Sequence, residues 1–175
     1  HQVGRWKKMR GANPDVKIAV GGCVASQEGE NLRKRAPAVD IVFGPQSLHR
    51  LPELYRREFE TGRSQIDISF PKLEKFDLIP KSDSSDASAF VSVMEGCNKY
   101  CSFCVVPKTR GHEVSRSVQD ILDEVEHLVK NGAREIHYLG QNVNNFKGKN
   151  HDAKSSLASM IRLTGEIDGV ERIRF

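Results

Sequence analysis

The composition of this chain of 175 residues is that of a globular protein with a small excess of positive charge: 38 % of the residues are hydrophobic, 29 % are charged, and the formal net charge is +4. The charge weakly favours an anionic partner such as RNA, and the length allows one domain or two small ones. The sequence contains no apolar stretch of the roughly 18 residues that cross a membrane, and no signal peptide is visible in it, so we expect no membrane association and a cytoplasmic location.

Residues 1–59 have the pattern of strands alternating with helices. A basic segment around Trp6 is predicted to be the end of a helix that stops at Gly11 and Pro14. Because the chain opens in mid-helix and without a methionine, we expect it to be a fragment of a longer protein. The remaining predicted elements are strands over 16–20 and 40–44 and helices over 26–36 and 47–59, with Ser26 and Ser47 as N-caps. This order predicts a parallel sheet covered by helices.

Residues 60–89 are predicted to be the boundary between two domains. Residues 65–70 alternate as a possible strand, but Pro71, Pro80 and the serine- and aspartate-rich run 82–86 are typical of an exposed linker. The predicted organisation is an N-terminal domain over 1–59, a linker over 60–89 and a second domain over 90–175.

The second domain repeats the alternation of strands and helices. A short strand over 90–94 precedes a cysteine-containing loop, and residues 107–113 interrupt regular structure. Ser117 and Asp120 have the spacing of a capping box and open an amphipathic helix. Further predicted elements are a strand over 135–139, a helix over 155–168 and a strand from 172 onwards. Parallel strands with right-handed crossovers then bring the cysteine loop and the turn 140–144 to the same edge of the sheet.

Three of the four cysteines lie in one loop with the spacing C-x3-C-x2-C, at Cys97, Cys101 and Cys104. Structural zinc sites use four protein ligands, so a zinc ion here would need Cys23 or His112 as the fourth. Three thiolates suit an iron–sulfur cubane better, because three irons are held by cysteine and the fourth stays open for a substrate or cofactor. Three reduced thiols without a metal are the remaining alternative.

The sequence around the three cysteines favours a ligating role over disulfide bonds. Four cysteines grouped three to one do not resemble a disulfide framework, and a reducing compartment is their natural setting. Gly96 allows the backbone to wrap closely, and Asn98 and Ser102 can donate hydrogen bonds towards the sulfurs. His112 is the histidine nearest to the loop, but it has no partner at metal-ligand spacing and is expected to be exposed.

Several stretches of the sequence resemble the radical S-adenosylmethionine (SAM) enzymes, and among these the methylthiotransferase family. The C-x3-C-x2-C spacing with Phe103 before the last cysteine is similar to the signature of radical SAM enzymes. Other stretches are similar to methylthiotransferases: VMEGCNKYC over 93–101, CVVP over 104–107, TRG over 109–111, GQNVN over 140–144 and GGCVASQ over 21–27. The resemblance covers essentially the whole chain.

The resemblance implies an α/β fold in which a parallel-sheet N-terminal unit is followed by the first half of a (β/α) radical SAM partial barrel. It also implies that Cys97, Cys101 and Cys104 hold a [4Fe-4S] cluster whose open iron binds S-adenosyl-L-methionine. The radical chemistry then belongs to the cofactors, and the protein supplies orientation and the exclusion of water.

Candidate cofactor-binding residues follow from the same resemblance. Radical SAM enzymes contact the methionine part of the cofactor from the end of their second barrel strand, which makes Gly140, Gln141 and Asn142 candidates. Without the family match, this stretch would be an ordinary polar turn. Arg110 and Arg116 are candidates for binding the cofactor carboxylate or an RNA phosphate, and solvated surface arginines are the alternative.

Cys23 follows the first predicted strand at the start of a helix, where a thiolate is stabilised. A lone cysteine is more often packing than ligand, but the resemblance implies that Cys23 is the third of three cysteines that hold a second [4Fe-4S] cluster. The two partner cysteines lie upstream in the family, and this sequence has no other cysteine before Cys97. We therefore expect that the second cluster cannot assemble normally on this chain.

The function implied by the resemblance is methylthiolation of C2 of N6-isopentenyladenosine, next to the anticodon of tRNA, by radical SAM chemistry. The implied partners are tRNA and an electron-donor protein, a monomer is expected, and no catalytic residue is assigned. The alternatives are a methylthiotransferase for a ribosomal protein or for threonylcarbamoyl-adenosine tRNA, and a zinc-stabilised RNA-binding module. Because the barrel stops at its third strand, leaving an edge at Ile173, we expect poor solubility and no complete turnover from this chain alone.

Overall fold

The structure is a computed structural model that describes residues 2–70, 86–150 and 153–175. The chain divides into two compact units, His1–Ile79 with Lys108–Arg110 and Pro80–Pro107 with Gly111–Phe175. Most of the predicted linker, including Pro71, Pro80 and the run 82–85, lies outside the described residues, and the domain limits stay a prediction. Among the described residues, no helix is long and apolar enough to cross a membrane.

The first unit is built on a parallel sheet of three short strands. The strands are β1 (Ala19–Gly21), β2 (Ile41–Phe43) and β3 (Gln65–Asp67), and they lie in the order β1-β2-β3. The helices are α1 (Gln2–Ala12), α2 (Cys23–Glu28), α3 (Glu30–Arg35) and α4 (Leu51–Thr61), and a 3-10 turn spans Pro45–Arg50. The prediction of an α/β unit with a parallel sheet is confirmed.

The central strand β2 forms the core of this unit because its side chains alternate between the two faces of the sheet. Val42 packs in one cluster with Ile18 and Val39, whereas Ile41 packs in a second cluster with Leu54. A strand that is buried on both faces needs apolar residues at every position, which explains the unbroken run of β2.

The prediction of one helix over 26–36 is wrong, because the helical segment begins earlier, at Cys23, and is interrupted at Gly29. The segment is two helices, because Gly29 has a φ of +46° and ends α2 with a hydrogen bond from its N–H to Ala25 O at 2.8 Å. Ser26 lies inside α2, and the N-cap is Gly22. Because Gly22 has a φ of +106°, which glycine adopts at low cost, the chain turns from β1 directly into α2. The strand β1 correspondingly begins at Ala19, later than predicted.

The helix predicted over 47–59 is a 3-10 turn followed by α4, so Ser47 is not a helix cap. The buried Ser47 hydroxyl donates to Asp67 Oδ1 at 3.1 Å, and Arg50 Nη1 donates to Asp67 Oδ2 at 2.5 Å. Burial raises the pKa of Asp67, but hydrogen bonds from Ser69 and Ser47 and the charge of Arg50 outweigh it, so the pKa is lowered overall. Ser47 therefore anchors the turn to the end of β3.

The second unit is built on another parallel sheet with short antiparallel additions. The strands are β4 (Ser88–Ser92), β5 (Met94–Glu95), β6 (Val114–Ser115), β7 (Glu135–Leu139), β8 (Lys147–Asn150), β9 (Ala153–Ser156) and β10 (Arg172–Arg174). The parallel sheet has the order β10-β7-β4, and β5 pairs with β6 and β8 with β9. Each new parallel strand lies beside the preceding one, as at the start of a (β/α) barrel.

The helices of this part of the chain are α5 (Val106–Arg110), α6 (Val118–Lys130) and α7 (Leu157–Gly165), and a 3-10 turn spans Val143–Asn145. The capping-box prediction is confirmed, because Ser117 Oγ accepts from the Asp120 N–H at 3.1 Å. The apolar face of α6 packs in one core with β4 and β7: Ile121, Val125 and Leu128 with Val91, Ile136 and Tyr138. The predicted amphipathic helix thus covers the sheet that carries the cysteine loop.

The structure corrects three further predictions for this part of the chain and adds one hairpin. The strand predicted over 90–94 is divided into β4 and β5, because β5 leaves the parallel sheet to pair with β6. The helix predicted over 155–168 begins at Leu157 and is capped by Ser156, because the preceding residues form β9. Residues 107–113 are predicted to be irregular, but residues 107–110 form most of the helix α5. The hairpin of β8 and β9 was not predicted because its polar sequence lacks alternating apolar residues.

Glu135 joins the edge strand β10 to β7 through its carboxylate. Arg172 Nη1 donates to Glu135 Oε2 at 2.6 Å, Arg174 Nε donates to Oε1 at 2.9 Å, and His137 Nε2 lies 2.6 Å from Oε1. The hydrogen bond from Arg172, assisted by those from His137 and Arg174, lowers the pKa of Glu135 from 4.5 to about 2. The contact therefore stabilises the fold above the unfolded pKa and is lost as the pH falls towards about 2.

This contact predicts an acid-sensitive sheet. We expect Glu135→Gln to lower the urea midpoint of unfolding at pH 7, and we expect the difference from the unsubstituted chain to shrink below about pH 4.5 and vanish near pH 2. The measurement is the urea midpoint of both chains as a function of pH. A difference that stays constant over this range would contradict the role of the ionised carboxylate.

Candidate iron–sulfur and cofactor site

The cysteine loop follows β5 at the carboxyl end of the strand segment 88–95. Cys97 is buried, Cys104 is half-buried and Cys101 is exposed, and all three are free thiols. The Cys104 N–H donates to Cys101 O at 3.0 Å, which closes a tight turn between the second and third cysteines. The three thiols of the loop therefore differ in solvent exposure: the first is buried, the third is half-buried and the second is exposed.

Gly96 holds the base of the loop against the segment before β6. Its φ is +75°, and a Cβ built on it would lie 2.1 Å from His112 O and 2.7 Å from Gly111 O. The following residue continues the contact, because the Cys97 N–H donates to Gly111 O at 3.2 Å. A glycine is therefore required at position 96 both for its backbone conformation and for the close approach of two backbones.

The first part of the loop makes contacts that differ from the sequence prediction. We expected Asn98 to donate towards the sulfurs, but its Oδ1 accepts from the Glu113 N–H at 3.1 Å and lies 3.1 Å from His112 Nδ1. The backbone N–H of Lys99 instead donates to Cys97 Sγ at 3.4 Å. Hydrogen bonds to cysteine sulfur of this kind tune iron–sulfur centres. The His112 side chain is exposed, as predicted.

The turn after β7 lies directly against the base of the cysteine loop. Gln141 Oε1 accepts from the Gly96 N–H at 2.7 Å, across 45 positions of the sequence. A Cβ on Gly140 would lie 2.6 Å from Met94 Cγ and 3.2 Å from Val143 Cγ2, so only glycine fits without displacement. The prediction that this turn and the cysteine loop meet at one edge of the sheet is confirmed.

Glu113 connects the same two loops, and the sequence alone did not single it out. Its carboxylate accepts hydrogen bonds from Asn142 Nδ2 at 3.1 Å and from Asn145 Nδ2. Burial raises the pKa of Glu113, but the hydrogen bonds from these two amides outweigh it and lower the pKa overall. Asn142 and Asn145 are 29 and 32 positions from Glu113 in sequence, and no local sequence pattern indicates contacts over such distances.

The two candidate arginines have different surroundings. Arg116 is largely buried, and its Nη1 donates to Glu124 Oε2 at 2.5 Å and to Ser92 O at 2.9 Å. These contacts favour a structural role for Arg116, in which it ties α6 to the end of β4. Arg110 is the half-buried last residue of α5.

Cys23 is the half-buried first residue of α2, immediately after the two glycines that end β1. A Cβ on Gly21 would lie 2.3 Å from the Phe43 ring, and the Gly22 N–H donates to Phe43 O at 3.2 Å. The glycine pair thus lets β1 pass close to β2 and turn at once into the helix. Cys23 therefore lies at the carboxyl edge of the first parallel sheet, as predicted.

The donor set of the cysteine loop is three free thiols, a chemistry that suits a [4Fe-4S] cluster. A zinc ion needs its ligands to converge on one point, whereas each thiolate of a [4Fe-4S] cluster binds a different iron. Three free thiols on one loop, with a backbone N–H on the sulfur of Cys97, match the second requirement.

Residues 91–172 match the family model of the Radical SAM superfamily. This segment contains the cysteine loop, β7 and the turn after it, with the end of β4 and the first residue of β10. This match bears out the prediction of a radical SAM segment made from the cysteine loop.

Over its whole length the chain is similar to proteins named tRNA-2-methylthio-N(6)-dimethylallyladenosine synthase. The identity is 56 % over 176 residues for the protein of Haemophilus influenzae (strain PittEE) and 57 % over 177 residues for that of Histophilus somni (strain 129Pt), with all of this chain and 37 % of each relative covered. For the protein of Pseudomonas syringae pv. syringae (strain B728a) it is 57 % over 175 residues, covering 99 % of this chain and 40 % of the relative. The chain thus spans about two fifths of the length of these relatives.

Proposed function

We propose that this chain is a segment of a radical SAM methylthiotransferase that modifies N6-dimethylallyladenosine in tRNA. The observation that carries the proposal is the position of the C-x3-C-x2-C loop. It follows β4 and the short β5, and it is hydrogen-bonded to the turn after β7, the parallel neighbour of β4. Parallel α/β folds bind their ligands at this edge. The similarity over the whole chain to synthases of that name supports the choice of substrate.

In this proposal Cys97, Cys101 and Cys104 hold a [4Fe-4S] cluster, and S-adenosyl-L-methionine binds beside it. When bound, the cluster and S-adenosyl-L-methionine together supply radical chemistry that proteins alone lack. The chain holds the two sides of this site together, because the Gly96 N–H and Gln141 Oε1 fix the cysteine loop to the turn after β7.

Three of the cofactor-binding candidates stay in the proposal on geometric grounds. Gln141 and Asn142 lie in the turn that contacts the cysteine loop and its neighbouring segment, and Gly140 lets that turn approach Met94. Arg110 stays a candidate for the cofactor carboxylate or an RNA phosphate. For Arg116 we favour the structural role that its contact with Glu124 indicates.

Cys23 is proposed as one ligand of a second [4Fe-4S] cluster. Its position directly after a strand, at the start of a helix, leaves the thiol accessible at a sheet edge where ligands are commonly bound. The other two ligands of that cluster are not among the cysteines of this sequence, since the remaining three form the loop at 97–104. We therefore propose that one cluster, not two, assembles on this chain.

The partners proposed for the whole protein are tRNA and an electron-donor protein, with a monomeric enzyme in the cytoplasm. A base in a single-stranded loop can be splayed out and stacked in a pocket, which suits chemistry on an adenine ring. A methylthiotransferase for a ribosomal protein or for threonylcarbamoyl-adenosine tRNA is the second candidate, and the names of the relatives favour the first.

The proposal predicts a specific metal content. After anaerobic reconstitution with iron and sulfide we expect about four irons per chain and broad visible absorption. The measurement is iron, sulfide and zinc content with an absorbance spectrum. Stoichiometric zinc without visible absorption would overturn the radical SAM assignment and favour a zinc-stabilised module.

The substrate is tested in a chimera that replaces the matching segment of the Haemophilus influenzae relative with this chain. We expect the chimera to restore 2-methylthio-N6-dimethylallyladenosine to tRNA in cells that lack the native enzyme, as detected by mass spectrometry of nucleosides. Restored iron content without the modified nucleoside would contradict the proposed substrate while leaving the cluster assignment intact.

A further inference from the structure

Glu113 lies between the cysteine loop and the turn after β7, and it contacts both of them. Its backbone N–H donates to Asn98 Oδ1 at 3.1 Å. Its carboxylate accepts from Asn142 Nδ2 at 3.1 Å and from Asn145 Nδ2. One half-buried residue thus joins both loops that line the proposed cofactor site.

The chemistry of these contacts requires an acceptor at position 113. Two amide groups donate to the two oxygens of one carboxylate, and a carboxylate is a group that only accepts hydrogen bonds when ionised. Hydrogen bonds to a charged acceptor are about twice as strong as those between neutral groups. A glutamine at position 113 would keep the shape of the side chain but lose the charge.

This connection is separate from the direct hydrogen bond between the Gly96 N–H and Gln141 Oε1. The direct bond joins the start of the turn to the base of the cysteine loop. Glu113 holds the later part of the turn, at Asn142 and Asn145, and joins it to Asn98 beyond the first cysteine. Two connections at different points fix both the distance and the angle between the loops.

We propose that Glu113 is a positioning residue that sets the geometry of the S-adenosyl-L-methionine subsite by holding the turn 140–145 against the cysteine loop. The inference rests on the proposed function for the identity of the ligand. The hydrogen-bond partners of Glu113 among the described residues are Asn98, Asn142 and Asn145, and none of them is a proposed cluster ligand. Its effect on the cofactor is exerted through Asn142, Asn145 and Asn98.

The test reverses the hydrogen bond between Glu113 and Asn145, so that position 113 donates and position 145 accepts. Asn145→Asp places a second carboxylate against Glu113, so the two groups repel and the turn moves away. Adding Glu113→Gln to that variant restores one donor and one acceptor with their positions reversed. A purely destabilising substitution would not be rescued by a second substitution, so rescue identifies the contact itself.

Two readouts are measured on Asn145→Asp, Glu113→Gln and the double variant. Amide hydrogen exchange of residues 140–146 is followed on the chain without cofactor, and the Kd for S-adenosyl-L-methionine and the iron content are measured after reconstitution. We expect Asn145→Asp to raise both the exchange rate and the Kd about tenfold, and the double variant to return within about threefold of the unsubstituted chain, with iron content unchanged throughout.

Asp123→Asn is the matched control. Asp123 accepts from Gln119 Nε2 at 2.7 Å on the exposed face of α6, so this variant removes one carboxylate charge, as Glu113→Gln does, but outside the site. We expect it to change neither readout. The proposal is overturned if Asn145→Asp matches the unsubstituted chain, or if the double variant is no better than Asn145→Asp. If the unsubstituted chain binds no iron, the proposed function fails instead, and the exchange rates of 140–146 still decide whether Glu113 holds the turn.

Discussion

Cys101→Ala is expected to abolish iron binding by this chain, from about four irons to less than one after anaerobic reconstitution. Cys101 is the exposed middle member of the C-x3-C-x2-C loop and has little packing to lose. We therefore expect the free energy of unfolding without iron to change by no more than about 0.5 kcal/mol. Loss of the cluster with an intact fold separates a ligand from a structural cysteine.

The matched control for this experiment is Cys23→Ala. It makes the same chemical change at a cysteine of the first unit, outside the loop at 97–104. We expect this variant to keep the full iron content and the visible spectrum. Equal iron in Cys101→Ala and in the unsubstituted chain would exclude Cys101 as a ligand, and equal loss in both variants would indicate that the cysteines act through folding.

Gly96→Ala is expected to lower the free energy of unfolding by about 2–5 kcal/mol and to prevent cluster binding. A left-handed backbone costs an alanine about 1–2 kcal/mol, and the new Cβ would lie 2.1 Å from His112 O, which adds the cost of overpacking, about 1–3 kcal/mol. The backbone must move to relieve this contact, and Cys97 moves with it. The measurements are urea unfolding and iron content.

Gly62→Ala separates the two contributions. Gly62 also has a positive φ, +61°, but a Cβ there meets nothing within 4 Å. We expect this control to cost only about 1 kcal/mol and to leave iron binding unchanged. If Gly96→Ala lowered the free energy of unfolding no more than Gly62→Ala and bound iron normally, the result would contradict the close approach of the two backbones at the cysteine loop.

Local signals in the sequence were sufficient for the elements that depend on near neighbours. The spacing of the cysteines, the capping box at Ser117 and the alternation in 135–139 each depend on residues a few positions apart, and the structure confirms the helix and the strand. The parallel arrangement of both sheets also followed from the order of strands and helices, because parallel neighbours require a crossover between them.

Secondary-structure predictions failed where a glycine interrupts a helix or where a strand has no alternation of apolar and polar residues. Gly29 divides one amphipathic segment into two helices, and a periodicity argument cannot see the positive φ that it adopts. The hairpin of β8 and β9 has no apolar alternation, so its pairing depends on neighbours in the fold. Ser47 has the residue type of a cap, but its hydroxyl is used by Asp67.

The sequence by itself determined which side chains are candidates for the chemistry: three thiols at ligand spacing, a fourth at the end of another strand, and a polar turn after β7. Only the tertiary structure decided how these parts are joined. The Gly96–Gln141 contact spans 45 positions, Glu113 reaches Asn142 and Asn145 across about 30, and the contact of Arg116 with Glu124 favours a structural role for that arginine. The physical reason is that parallel strands bring their carboxyl ends together from distant parts of the chain, so the partners of each side chain follow from sheet order and not from local sequence.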